Sequence, residues 1–408
     1  MIRLIHSSLP TNTSPQRIER IDALRGLAVF GILLVNLWSY VWGFESMRYG
    51  VLPPYAGLLD VMAIAFTAFF AEQKFYPIFA FLFGASAILI SQSIFRKTGR
   101  WSDAQRLYRR RLLWLLGCGV AHGTLIWFGD ILTVYAIVGL WVLLGIIGLR
   151  ARSVLWHLRL WLLGFVVLLG INLWLSLRTL GVEEEYLLVT SAVENVEAAR
   201  QVYAYGNLFS IGWQRVMDYV TVTTQSLLIV PHVAVLFLLG AWSVRRGWLT
   251  RPERHCGLWR RVLVAGLLIG LPFNLLWAVL KVMEAADPLH PWRWDYTVFA
   301  LLPIGGSFFA AAFVAIFMLA GSGWMRGVQS VLAPVGRMAL SNYITQSLIG
   351  VIVFQGFGFG LGQTLRPAYW MAIAFGIMLA QILFSRWWLS RHAQGPLEAL
   401  ARRFINKT

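Results

Sequence analysis

The chain has 408 residues, of which 58% are apolar and only 13% are charged, and its formal net charge is +17. A soluble domain carries about a quarter charged residues, so this composition excludes an ordinary soluble fold. The positive charge does not indicate a nucleic-acid-binding protein, because the arginines cluster in short segments between long apolar runs. We therefore expect an all-α, polytopic integral membrane protein in which residues 1–408 form a single transmembrane domain.

Apolar runs long enough to cross a hydrocarbon core of ~30 Å recur along the chain. Residues 1–23 are polar and form a cytoplasmic N-terminus that leads into an uncleaved first span. The pattern predicts about ten transmembrane helices with both termini in the cytoplasm. These helices lie near 24–43, 75–95, 111–129, 131–149, 154–177, 223–244, 258–281, 296–320, 330–354 and 368–390.

The apolar segment 56–72 is not counted as a span. A crossing there would place the basic run at 96–111 outside, against the positive-inside rule. We expect this segment to be an outer-face helix that lies in, or dips into, the bilayer interface. The long break at 178–222 carries five glutamates and predicts an external cap followed by an amphipathic segment around 207–221.

The two cysteines, Cys118 and Cys256, fall in different predicted environments, the first inside an apolar helix and the second in a cytoplasmic basic segment. A disulfide between them is therefore not expected, and no metal site is indicated.

Polar residues within apolar spans identify the candidate site, because each costs about 2.5–3.5 kcal/mol at mid-helix unless it is paired, solvated or functional. The strongest candidates are His122, in the outer half of one predicted span, and Asp130, at the hairpin that leads into the next. A carboxylate can hold a histidine in one tautomer so that it acts as a general base. The alternative, that His122 bonds a neighbouring helix and Asp130 caps the next one, stays open.

Two further polar positions lie in the first two spans. Glu72 stands with Lys74 at the outer mouth of the second span, where the two could form only an interfacial pair. Asn36 lies deep in the first span and must find a hydrogen bond, which interhelical packing could supply.

Candidate ligand-binding residues cluster at the predicted cytoplasmic ends. Arg337 is well placed to bind a phosphate, and Arg25 could join it. The helix that follows Arg337 carries a polar face formed by Ser341, Asn342 and Gln346. The alternative is that Arg337 is only one of the basic residues that set the orientation of the spans in the membrane. His232 is a lone histidine in mid-span, expected to be satisfied within the bundle.

A family pattern is carried by four segments: RIDALRGLAVFGILLVN (20–36), KFYPIFAFLFG (74–84), RRRLLWLLGCGVAHGTLIWFGDILTVYAIVG (109–139) and PVGRMALSNYITQS (334–347). Together they resemble the YeiB-like proteins, whose C-terminal half, here 245–408, is a domain of unknown function 418. The resemblance runs nearly end to end.

The pattern is more remotely similar to the transmembrane acyltransferase superfamily, including the lysosomal heparan glucosaminide acetyltransferase. That enzyme moves an acetyl group from cytosolic coenzyme A to a sugar on the far side. The resemblance places its first-span arginine and asparagine on Arg25 and Asn36, and its acidic residue on Glu72. Its histidine has no counterpart, since residues 44–56 contain none; His122 takes that role here by hypothesis.

The leading hypothesis is acyl transfer across the inner (cytoplasmic) membrane of a bacterium. An acyl-CoA such as acetyl-CoA would be the co-substrate, with no tightly bound cofactor. His122 would accept the acceptor proton, helped by Asp130 or Glu72. Asn36 and the polar face Ser341, Asn342 and Gln346 would line the channel and steady the thioester carbonyl.

The alternative hypothesis is a transporter or lipid-handling protein in which the same polar groups mark a substrate path. Membrane lipid is the expected surrounding and nucleic acid is not an expected partner. The sequence leaves open whether the protein forms a homodimer.

Overall fold

The protein is all-helical, as expected, in a computed structural model that describes residues 15–43, 49–52, 56–178, 182–287, 293–320 and 323–406. No strand occurs in those ranges. The helices in chain order are α1 (Pro15–Trp42), α2 (Leu58–Phe66), α3 (Phe75–Thr98), α4 (Trp101–Ala121), α5 (Leu132–Val138), α6 (Leu144–Ile146), α7 (Ala151–Ser176), α8 (Val182–Tyr205), α9 (Leu208–Gln225), α10 (Val230–Arg245), α11 (Cys256–Ala286), α12 (Arg293–Leu319), α13 (Trp324–Arg337), α14 (Ala339–Phe354), α15 (Leu361–Thr364), α16 (Pro367–Leu389) and α17 (Pro396–Asn406).

Seven helical runs among the described residues are long and apolar enough to cross a membrane: Glu19–Trp42, Leu58–Thr98, Ala151–Ser176, Leu208–Arg245, Pro252–Ala286, Thr297–Leu319 and Pro367–Leu389. Their number and character make the chain a polytopic membrane protein. The runs Leu132–Ile146 and Ala339–Phe354 are apolar but shorter. The number of ten spans and the side on which each end lies stay predictions.

The Leu58–Thr98 run is broken at residues 72–74, where Gln73 has a positive φ of 62°. Ahead of the break, α2 continues into a π-helical turn at Thr67–Ala71, and the two together are too short, at about 21 Å, to cross a ~30 Å core. They pack against α11 and α16. That the segment 56–72 dips in without crossing, and that one span follows from Phe75, stay predictions.

The predicted span 330–354 is not one helix. It is divided at Met338 into α13 and α14, and α13 begins earlier, at Trp324. The side-chain amide of Asn342 donates to the carbonyl oxygen of Val335 across the break, at 3.1 Å. The prediction of a continuous helix was wrong because apolar periodicity carries no signal for a local bond of this kind.

Helix α13 lies directly against α1 through two glycines. A Cβ at Gly336 would overlap the carbonyl oxygen of Asp22, and one at Gly26 would overlap that of Leu332. Small residues allow such backbone approach between membrane helices. The contact places the C-terminal end of α13 beside residues 22–26 of α1, and Arg25 and Arg337 line the same cavity.

The described residues 182–225 form two helices, α8 and α9, over one end of the bundle. Helix α8 packs against α1, and the Tyr203 hydroxyl donates to the Asp218 carboxylate at 2.5 Å. Helix α9 has one exposed face and one buried face, as expected for an amphipathic segment. Its exposed side carries Phe209, Trp213, Met217 and Val220, whereas its buried side carries Ile211, Arg215, Asp218 and Tyr219. The charged groups Arg215 and Asp218 therefore face the bundle.

Candidate active site

His122 and Asp130 form a buried hydrogen-bonded pair. His122 is the first residue of a π-helical turn, His122–Ile126, that directly follows α4. Its Nδ1 lies 3.0 Å from Oδ1 of Asp130, and the two side chains are 1% and 0% exposed. The other carboxylate oxygen, Oδ2, accepts from the backbone N–H of Thr133 at 2.7 Å. Asp130 therefore both caps the start of α5 and orients His122, whereas the role of His122 as a general base stays a prediction.

The Asp130 contact defines what the imidazole can do. An ionised carboxylate cannot donate, so an ionised Asp130 requires the hydrogen on Nδ1, and a neutral imidazole in that tautomer would present its lone pair at Nε2. Nε2 is buried and has no hydrogen-bond partner among the described residues. The indole Nε1 of Trp127, whose ring lies 6.1 Å from the imidazole, is buried and unpartnered there as well. Buried polar groups nearly always have partners, so His122 Nε2 is the atom of the His122–Asp130 pair that stays available for a further hydrogen bond among the described residues.

Helix α9 covers the π-helical turn. The Tyr219 hydroxyl lies 3.0 Å from Thr133 Oγ1, and Arg215 donates to the Leu125 carbonyl oxygen at 2.7 Å. Gly123 makes this contact possible, because a Cβ there would overlap the Tyr219 ring. The His122–Asp130 pair is thus closed off by α9 on the side that carries the glutamate-rich helix α8.

A cavity of about 800 Å³ lies between α1, α3, α4, α5, α13, α14 and α17. Its charged lining consists of Arg25, Lys97, Arg111, Arg337 and Arg402 together with Asp22 and Glu398. The remaining lining is mainly apolar or aromatic, and includes Phe79, Phe83, Ile90, Ile131, Tyr135 and Tyr343. The volume is within the ~300–1,000 Å³ range of small-molecule sites.

Both carboxylates of the lining are engaged. Asp22 pairs with Arg25 at 2.6 Å, and Arg25 also donates to Ser86 Oγ at 2.5 Å. Glu398 accepts from the backbone N–H of Leu340 at 2.8 Å and from Ser341 Oγ at 2.6 Å. Since the cations outnumber the carboxylates, the charged part of the cavity favours an anionic ligand.

Tyr343 connects the cavity with the histidine pair. Its side chain lines the cavity, and its ring centroid lies 4.9 Å from that of His122. The Tyr343 hydroxyl donates to the carbonyl oxygen of Gly129, next to Asp130, at 3.3 Å. His122 itself does not line this cavity. Its exposure to a polar cavity in the outer half of the bundle stays a prediction.

Glu72 forms its hydrogen bonds away from His122. It accepts hydrogen bonds from the Tyr49 hydroxyl at 2.8 Å and from Trp277 Nε1 at 2.9 Å, which tie the 72–74 break to α11. Lys74, fully buried, donates to the Ala68 carbonyl oxygen at 2.6 Å and so closes the π-helical turn before the break. The structure gives Glu72 these structural contacts and no bond to His122.

The polar face of α14 is directed toward other helices. Asn342 donates to Ser385 Oγ at 3.0 Å, and Gln346 donates to Gln381 Oε1 at 2.7 Å, both on α16. Ser341 binds Glu398 of α17. These three residues and Asn36 do not line the cavity. For Ser341, Asn342 and Gln346 the contacts are interhelical, a use that a polar face in a membrane bundle commonly serves.

His232 is satisfied within the bundle, as expected. Its Nδ1 lies 2.8 Å from the Tyr76 hydroxyl and its Nε2 lies 2.9 Å from Ser307 Oγ, while Phe165 stacks on the ring at 4.8 Å. The difference from His122, which has one unpartnered nitrogen, separates a structural histidine from a candidate base.

Several lining residues were missed by sequence reasoning. Lys97, Arg111 and Arg402 were counted only as basic residues of cytoplasmic segments, and Tyr343 as one residue of a family motif. A signal existed for Arg402, because the last helix alternates apolar and charged residues with helical spacing and is therefore expected to dock on a surface. No local signal distinguishes Arg111 from its neighbours Arg109 and Arg110.

The fold and site define a polytopic helical membrane protein with a buried histidine–carboxylate pair beside a cation-lined cavity. Residues 243–408 match the family model described as a protein of unknown function, DUF418. The chain is 30% identical to the uncharacterized protein YxaH of Bacillus subtilis (strain 168) over 97% of this chain and 96% of the relative. It is 29% identical to the uncharacterized protein YeiB of Escherichia coli (strain K12) over 95% of this chain and 96% of that protein.

An uncharacterized 39.9 kDa protein from the amylase 3' region of Bacillus acidopullulyticus is 28% identical over 94% of this chain and 92% of its own length. The chain therefore belongs to the YeiB-like DUF418 family of bacterial membrane proteins. No solved structure matches it significantly.

Proposed function

We propose that the protein is a membrane-embedded acyltransferase. It would take an acyl group from a cytosolic acyl-CoA-type donor, such as acetyl-CoA, and pass it to a hydroxyl or amino acceptor that enters from the outer side of the inner membrane. The observation that carries the proposal is the cation-lined cavity, which extends to Tyr343, a side chain in contact with the buried His122–Asp130 pair.

The donor would be held by its phosphates. Arg25 and Arg337 line the same cavity, and Lys97, Arg111 and Arg402 add positive charge to it. Arginine suits this task because its planar guanidinium binds phosphate oxygens in pairs. The apolar and aromatic lining would accommodate the less polar arm and the acyl group of the donor.

In the proposed reaction, His122 acts as the base. Asp130 fixes the imidazole so that Nε2 can accept the proton of the acceptor O–H or N–H group. The acceptor oxygen or nitrogen attacks the thioester carbonyl carbon, the C–S bond breaks, and the proton passes from His122 to the departing thiolate. The products are the acylated acceptor and free coenzyme A.

Coenzyme A binding tests the donor site without knowledge of the acceptor. We expect the purified protein in lipid nanodiscs to bind coenzyme A in a titration calorimeter. Arg111→Gln should weaken coenzyme A binding about 10- to 100-fold, which is the loss of affinity expected when one charge-assisted hydrogen bond is removed. Arg106→Gln is the matched control, because Arg106 is exposed on the same helix and does not line the cavity. Absence of binding, or equal loss in the two variants, would refute the donor assignment.

A transporter is the second candidate, and one observation favours it. The break at 72–74 places two buried ionisable residues, Glu72 and Lys74, inside a helical run, as substrate sites of transporters often do. Mass spectrometry of ligands that copurify with the protein separates the two functions: coenzyme A supports the acyltransferase, whereas a polar solute without coenzyme A supports the transporter.

A further inference from the structure

Tyr343 lies between the cavity proposed to bind the donor and His122, the proposed base. Tyr343 faces the cavity on one side and the imidazole on the other, and its side chain is only 4% exposed in total. Behind this wall, His122 Nε2 is buried and has no hydrogen-bond partner within the part of the chain that the structure describes. A base that can activate an acceptor hydroxyl can equally activate water, so a donor thioester in open contact with it would be hydrolysed.

We propose that Tyr343 is a positioning residue that separates the cavity from His122 and protects an acyl donor from hydrolysis until the acceptor is present. The reaction it suppresses is attack of water on the thioester carbonyl, with cleavage of the C–S bond and transfer of the water proton through Nε2 to the thiolate. This inference rests on the proposed function for its purpose, but the barrier itself is a property of the protein alone.

The way in which Tyr343 is held fits a barrier that can move. Its hydroxyl donates to the Gly129 carbonyl oxygen at 3.3 Å, beyond the common range of ~2.5–3.0 Å for O–H···O bonds, and it also has a backbone hydrogen bond at Ile131. Gly129 directly precedes Asp130, so these hydrogen bonds lie on the same turn that orients His122. Rotation of the phenol would break its hydrogen bonds to the 129–131 turn and join the cavity to the imidazole.

Chemical labelling tests the barrier without any acyl donor. Diethyl pyrocarbonate modifies unprotonated imidazole nitrogens, and peptide mass spectrometry reports modification at each histidine. In detergent-solubilised protein we expect His122 to react about tenfold or more faster in Tyr343→Ala than in the wild type, because local protection is removed. Tyr343→Phe keeps the ring and should react almost as slowly as the wild type.

Two controls separate the barrier from general loosening. Tyr108→Ala removes another buried tyrosine that lines the cavity, and should leave His122 protected. His232, with both ring nitrogens bonded, should stay unmodified throughout. If Tyr343→Ala does not fold, Tyr343→Leu replaces it. Equal His122 labelling in the wild type and the folded variants, or equal acceleration by Tyr108→Ala, would overturn the proposal.

A second readout concerns the proposed reaction. With acetyl-CoA and no acceptor, Tyr343→Ala should release free thiol several-fold faster than the wild type, whereas Tyr343→Phe should not. Failure of coenzyme A to bind would refute the proposed function and leave the labelling result standing. Normal binding with unchanged labelling would refute the barrier alone.

Discussion

Glu398, on the last helix, binds Ser341 at the start of α14. Its Oε2 accepts from Ser341 Oγ at 2.6 Å, and its Oε1 accepts from the Leu340 and Ser341 backbone N–H groups at 2.8 and 3.1 Å. A carboxylate at this position acts as an N-terminal cap supplied by a distant segment. Helix α14 also carries Tyr343, so α17 stabilises the wall of the cavity.

Glu398→Ala should therefore lower the stability of the protein and detach α17. Loss of a helix cap costs about 0.5–2 kcal/mol, which should appear as a lower unfolding temperature in detergent and as faster proteolysis near residue 395. Glu253→Ala is the control, since Glu253 is exposed. Equal unfolding temperatures for the two variants would show that the cap contributes nothing.

Asp130→Asn should impair activity more than stability. The amide oxygen can still accept from the Thr133 N–H, but its NH₂ group would then donate to His122 Nδ1 and place the imidazole hydrogen on Nε2, the wrong tautomer for a base. We expect a loss of about 10²–10⁴-fold in acyl transfer, as for His122→Ala, the range for removal of general-base catalysis. Full transfer activity in a folded Asp130→Asn protein would contradict the catalytic pair.

Gly336→Ala should disturb the junction of α1 and α13. The added Cβ would overlap the Asp22 carbonyl oxygen, and overpacking of this kind costs about 1–3 kcal/mol. Because Arg25 and Arg337 lie at this junction, coenzyme A binding should fall with stability. Gly327→Ala on the same helix has nothing within 4 Å of the new Cβ and should be neutral or slightly stabilising. Similar behaviour of both variants would argue against a tight junction.

Cysteine labelling tests the orientation. In a background lacking Cys118 and Cys256, Ser102→Cys should react with a membrane-impermeant maleimide only from the cytoplasmic side and Glu184→Cys only from the outer side. Both positions are exposed, so accessibility within the fold does not limit either reaction. Labelling of the two positions from the same side would contradict the ten-span arrangement.

The helical class and the long spans were predictable, because some twenty apolar residues in succession leave few alternatives in a bilayer. The breaks within the helical runs were not predictable from the sequence. The division at Met338 depends on Asn342 bonding to Val335 and on Glu398, far along the chain, capping α14. A prediction made from a local stretch of sequence cannot detect the capping by Glu398, because Glu398 lies far from the start of α14 along the chain.

The candidate site was predicted in part. His122 and Asp130 stood out because both are costly within apolar spans and lie close in sequence. A polar helix face has the same sequence pattern whether it contacts a cavity or another helix. For that reason the sequence pattern predicted a ligand channel lined by Ser341, Asn342 and Gln346. Arg111 was hidden among equivalent arginines, and only the packing of α4 against the cavity distinguishes it.

Helix α4 is not among the seven runs that are apolar enough to span a membrane, although it leads directly to His122. Its three successive arginines would resist entry into the bilayer as an isolated segment. Gly119 lies so close to α5 that a Cβ there would overlap Thr133. During biosynthesis, α4 should therefore leave the translocon as a hairpin with α5, so that a nascent chain truncated before Asp130 would fail to integrate it.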